Sequence, residues 1–216
     1  MPRESKKSLV ERASRIYDQL MLEFPDAHCE LDHSNALELL IATIMSAQCT
    51  DAMVNRVTPD LFARFPDAQA YAQAPVEEIE ECIKRIGLFR SKAKNIKACC
   101  QKLVELHGGE VPADMKALTD LAGVGRKTSN VVLGNIFNIN EGVVVDTHVS
   151  RITQLLKLTR EKTPEKIEKD LMKIFPQEDW TMVSHLFILH GRRTCIARRP
   201  RCSECPITTD CPGAGK

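Results

Sequence analysis

The sequence predicts an all-α fold. Apolar residues recur at helical spacing through most of the chain, prolines stand where helices would start, and strand-like alternation over several residues is absent. The one β-branched run, Val143-Val144-Val145, is too short to make a sheet by itself.

Taken in order, the N-terminal stretch MPRESKKSLVERASRIYDQL turns amphipathic at once. Residues 35–47 (NALELLIATIMSA) are too apolar for a surface helix and read as buried. Thr58-Pro59, Ala74-Pro75 and Thr163-Pro164 place proline at first helical positions, where its missing N–H costs nothing. Over 89–107, Phe89, Ala93, Ile96, Cys100 and Leu103 share one face, while Lys94, Lys97 and Gln101 turn elsewhere. Leu118, Leu121, Val124 and Val132 are spaced to pack two helices across a glycine turn. Val149, Ile152, Leu155 and Leu156 make a further amphipathic run.

A chain of 216 residues suits one domain or two small ones. Its 43% apolar content is ordinary for a globular protein. No stretch approaches about 18 uninterrupted apolar residues, so no membrane span is expected. The N-terminus has no apolar signal core, which leads us to expect an intracellular, reducing setting. A net charge of +1 does not announce a polyanion partner, but the charge is segregated. Lys84, Arg85, Arg90, Lys92, Lys94, Lys97 and Lys102 follow one another with no acid among them. So do Arg192, Arg193, Arg198, Arg199 and Arg201. Such runs are either solvated faces or phosphate-binding surfaces.

The glycine turn carries chemistry. In Leu121-Ala122-Gly123-Val124-Gly125-Arg126-Lys127-Thr128, both glycines permit positive φ or close backbone approach. The turn presents backbone N–H groups at the next helix's N-terminus, where the dipole favours an anion such as a DNA phosphate. This is the helix-hairpin-helix pattern of many DNA-binding proteins. Lys127 is an odd cation at that position, and Arg126 beside it adds like charge; both favour a neutral, nucleophilic amine. The alternative is that Lys127 only touches phosphate. Asp146, just before the 149–156 run, is well placed as an N-cap. A catalytic carboxylate is the competing reading, and spacing cannot show whether it meets Lys127.

Cys195, Cys202, Cys205 and Cys211 are spaced C-x6-C-x2-C-x5-C. A disulfide framework does not suit a total of nine cysteines, five of them scattered. Zinc sites usually bring two short C-x2-4-C pairs, and only Cys202 and Cys205 form one. The long outer spacers suit an iron–sulfur cluster better than one ion.

Together these segments, with Met45-Ser46-Ala47-Gln48-Cys49-Thr50-Asp51 and Ile86-Gly87-Leu88-Phe89, resemble the endonuclease III family of DNA glycosylases/AP lyases. The resemblance runs from about residue 9 to 212. Ala122 departs from the family's usual proline, and Cys49 from its common alanine.

The resemblance implies a two-lobed, all-α helix-hairpin-helix glycosylase fold. A central lobe would span 29–139; residues 1–28 and 140–216 would form the second, with the cluster loop at 192–212. Duplex DNA with damaged bases or abasic sites would bind across the cleft between them. Lys127 would attack C1′, with Asp146 activating it, leading to β-elimination through a Schiff base. Gln48 and Leu88 would fill the gap left by the flipped base. Their competing readings are a polar helix end and ordinary core. Gly123, Val124, Gly125 and Arg126, and Arg192, Arg193 and Arg198, would contact DNA. His148 would support the Asp146 segment without transferring protons. One [4Fe–4S] cluster held by Cys195, Cys202, Cys205 and Cys211 would shape the loop. Oxidised pyrimidines are the implied substrates. The implied setting is a cytoplasmic, nucleoid-associated monomer if the source is bacterial or archaeal. The alternatives are a mismatch- or adenine-specific glycosylase of the same fold, and a non-enzymatic DNA binder.

Overall fold

The computed structural model describes residues 4–215. Every regular element among them is helical. The chain divides into two compact units. One is Cys29–Ile139; the other joins the residues up to His28 with those from Asn140 onward.

The discontinuous unit begins with α1, Lys6–Glu23. Ser5 caps it by accepting the Ser8 N–H at 3.1 Å. Ala13, Ile16 and Leu20 form its fully buried stripe.

The continuous unit starts with α2, Ala36–Ser46. Asn35 accepts the Glu38 N–H at 2.9 Å, and the Glu38 carboxylate returns to the Ser34 N–H at 2.6 Å. Leu39 through Met45 are all buried, and the one polar side chain among them, Thr43, donates its hydroxyl to Leu39 O at 2.7 Å. Against α2 pack α3 (Asp51–Arg64), α6 (Phe89–His107) and α8 (Arg126–Ile136). The short α4 (Ala68–Gln73) and α5 (Val76–Ile83) both lie on α6, and α7 (Met115–Thr119) packs on α8.

Two proline readings need correction. Pro59 is inside α3, not at a helix start. Thr50 caps α3 well upstream, and the buried Val54, Val57, Thr58 and Leu61 carry the helix past the missing N–H. Pro75 is the N-cap of α5, one place earlier than expected.

The discontinuous unit continues with α9 (Thr147–Leu155), α10 (Pro164–Leu171) and α11 (Trp180–Arg193). Here Pro164 does stand at the first helical position. Residues Val143 to Val145 are buried without forming a strand; the Val144 N–H donates to Ser184 Oγ at 2.9 Å. Gly191 lets α11 approach α9, since a Cβ there would meet His148 Cβ and Ile152 Cδ1 at 2.9 Å. Among the described residues no helix is long and apolar enough to cross a membrane.

Candidate functional site

In the hairpin, Leu118, Leu121, Val124 and Val132 are buried between α7 and α8. Gly123 sits at φ +76°, and a Cβ on it would lie 2.9 Å from Asn95 Cβ, so both conformation and space demand glycine. Gly125 does not use the positive φ that the sequence allowed for it. Its φ is −105°, and a Cβ there would meet nothing within 4 Å. It opens α8 with no side-chain cap, at a helix N-terminus whose dipole favours an anion. The Val124 side chain is buried, which leaves only its backbone to a ligand. Arg126 and Lys127, the first two residues of α8, are exposed.

Gln48 and Leu88 share an uncommon backbone. Both have positive φ, 55° and 61°, a conformation that costs a non-glycine residue about 1–3 kcal/mol. Gln48 is exposed and stands beyond the end of α2, not in its last turn. Leu88 is 62% exposed, so it is not core. A Cβ on Gly87 would fall 3.8 Å from the Gln48 carbonyl oxygen, which puts the two segments side by side.

The first basic run is not one phosphate-binding face. Lys92 is 4% exposed, and its Nζ donates to the carbonyls of Met45 (2.8 Å) and Ala47 (2.6 Å). Burial holds the Lys92 amine below the usual lysine range. Lys97 donates to Ala74 O, Lys102 donates to Asp120 O, and Lys84 pairs with Glu81. The second run is also divided. Arg192 and Arg193 belong to the last turn of α11, not to the loop, and the Arg193 guanidinium lies 5.7 Å from the Phe24 ring centroid. Arg198 is exposed in the loop that follows.

Asp146 is half-buried and caps α9, its Oδ1 accepting the Val149 N–H at 2.8 Å. His148 packs against α11 where Gly191 leaves room for it.

All nine cysteines are free. Cys195, Cys202, Cys205 and Cys211 line one cavity of about 310 Å³, along with Arg151, Ile152, Leu155 and His190. Four cysteines around one cavity of this size offer a thiolate ligand set for an iron–sulfur cluster. Burial pushes the Cys195 and Cys205 thiols up from the ordinary cysteine range. Arg151 Nη1 donates to Cys195 O at 2.7 Å and lies 3.6 Å from its Sγ. His190 Nε2 lies 3.8 Å from Cys205 Sγ. Burial, then Arg151, lowers the His190 imidazole to about 4, so it is neutral at pH 7. Arg12 ties the loop to α1, donating to Asp210 O at 3.1 Å and to Leu156 O at 2.8 Å.

The model of the HhH-GPD superfamily of base excision DNA repair proteins matches residues 41–177. That of the iron–sulfur binding domain of endonuclease III matches 195–211. Endonuclease III of Synechocystis sp. is 52% identical over 207 residues, covering 96% of this chain and 94% of its own length. The chain belongs to the endonuclease III family. A solved non-covalent endonuclease III–DNA complex superposes with a TM-score of 0.91 at 43% identity, over 98% of this chain and 97% of that one. A trapped endonuclease III–DNA covalent intermediate gives the same TM-score and identity, over 98% of each chain. Like the rest of the endonuclease III family, the protein is a DNA-binding, base-excision glycosylase/AP lyase carrying a [4Fe–4S] cluster.

Sequence reasoning about this endonuclease III-family chain missed Lys92, Arg151 and His190. Lys92 stood inside a basic run, which read as a solvated face or a phosphate-binding surface and not as buried. Arg151 lies 44 positions along the chain from Cys195, and His190, though only 15 positions before Cys205, carries no local pattern that marks it.

Proposed function

We propose that the enzyme removes oxidised or ring-saturated pyrimidines from duplex DNA, with Lys127 as nucleophile and Asp146 as its assisting carboxylate. The carrying observation is the N-terminus of α8: it has no capping side chain, and an exposed lysine stands at its second position. Backbone N–H groups serve the phosphate there, which frees the amine for chemistry.

Lys127 Nζ attacks C1′ of the damaged nucleotide. The C1′–N bond breaks, and its electron pair leaves with the base, which is then protonated. Asp146 accepts the proton from Lys127 and stabilises positive charge on the sugar. Ring opening leaves an imine between C1′ and Nζ. Loss of a C2′ proton then expels the 3′-phosphate, and water hydrolyses the imine to free Lys127.

Gln48 and Leu88 occupy the stack vacated by the flipped base, and Arg126, Arg192, Arg193 and Arg198 contact phosphates. Cys195, Cys202, Cys205 and Cys211 hold the cluster, which organises this loop. A monomer in a cytoplasmic, nucleoid-associated setting completes the reading, and the bacterial relatives support an intracellular DNA repair enzyme.

An incision panel tests the substrate assignment. Duplexes carrying a ring-saturated thymine or an oxidised cytosine should lose the base and be cleaved. Activity confined to mismatched thymine or adenine would favour a mismatch- or adenine-specific enzyme of this fold.

A further inference from the structure

We propose that Lys92 is a positioning residue for base flipping: it fixes the Gln48 and Leu88 segments against each other as one rigid element. The inference rests on the reading of Gln48 and Leu88 given above, and it concerns a residue that touches no DNA in that reading.

Lys92 joins both segments. Its Nζ donates to Met45 O at 2.8 Å and Ala47 O at 2.6 Å, the carbonyls at the end of α2 just before Gln48. Its backbone N–H donates to Leu88 O at 3.1 Å. These bonds satisfy helix-end carbonyls that α2 cannot satisfy itself. They also hold two residues at positive φ, a conformation that persists only where its surroundings enforce it. A lysine that is 4% exposed is an expensive way to fill core, since an apolar side chain would avoid desolvating an amine. Its three donors account for the choice: a methionine of similar length would pack but leave Met45 O and Ala47 O without these bonds.

The test is Lys92→Met, assayed under single turnover. Base release should slow by about tenfold on a duplex whose lesion is well paired, because small misplacements of positioned groups cost rate on that scale. Imine trapping at an abasic site in single-stranded DNA should be nearly unchanged, since no base has to be extruded. Gln48→Ala and Leu88→Ala run in parallel, and Lys92→Met/Leu88→Ala is the double variant. The proposal predicts that both single variants show the pairing-dependent loss, and that the double loses less than the product of the two. If Gln48→Ala and Leu88→Ala show the loss and Lys92→Met does not, the Lys92 proposal alone is wrong. If neither shows it, the reading of Gln48 and Leu88 fails, and the Lys92 proposal with it. Equal losses on paired and single-stranded substrates, with a lower melting midpoint, would make Lys92 a fold residue only. Should Lys92→Met not fold, Lys92→Gln keeps a donor and is judged by the same comparisons.

Discussion

Asp146 Oδ1 accepts the backbone N–H of Val149 at 2.8 Å. The carboxylate to which the proposed mechanism assigns the proton is thus also the N-cap of α9. Asn is as good a cap as Asp. Asp146→Asn should therefore shift the melting midpoint by no more than about 2 °C. Base release should nevertheless fall by about a hundredfold or more, as for loss of a positioned proton acceptor. Thermal melting and single-turnover glycosylase assays on one preparation read both. Near-normal activity would leave Asp146 as a cap alone.

Leu88→Ala should leave the melting midpoint nearly unchanged, because a side chain that is 62% exposed contributes little to the core. It should slow processing of a paired lesion by about tenfold and a poorly paired one much less, since unstacking costs a few kcal/mol. Equal losses together with a large drop in melting temperature would restore the core reading of Leu88.

The helices were legible in the sequence because their apolar faces are continuous. Within 35–47 the stretch Leu39 to Met45 came out buried, and on the 89–107 face so did Ala93, Ile96, Cys100 and Leu103, while Phe89 is partly buried. Asp146 was legible as a cap because capping is a local property. Pro59 was misread because tertiary burial of Val54 and Leu61 outweighs a local break signal. Lys92 was misread because the carbonyls it serves lie 47 and 45 positions back in the chain, at the end of α2. The same is true of Arg151, whose partner Cys195 is distant in sequence and adjacent only in the fold. Leu88 looks apolar and hence interior in one dimension; its exposure follows from a left-handed backbone that composition does not encode.

Purified protein should contain iron and acid-labile sulfide at about four each per chain, with a broad visible absorption. Cys202→Ala should lose both, while Cys29→Ala, Cys49→Ala and Cys82→Ala should retain them. One zinc per chain without sulfide would contradict the ligand assignment.

Arg192→Ala/Arg193→Ala/Arg198→Ala should weaken binding to undamaged duplex DNA. The slope of log affinity against log salt should flatten by up to about 3, close to one unit for each lost phosphate contact. Titrations across a range of salt concentrations measure it. An unchanged slope would mean that these arginines serve the fold, as the Arg193–Phe24 stacking suggests for one of them.

Borohydride trapping at a lesion tests the central claim most directly. The imine nitrogen should be Lys127 Nζ. Reduction should thus give a covalent protein–DNA adduct whose modified peptide contains Lys127. Lys127→Ala should abolish both the adduct and strand cleavage, and DNA binding should persist through the backbone N–H groups at the start of α8. An adduct of normal yield in Lys127→Ala, or one mapped to another amine, would contradict the account.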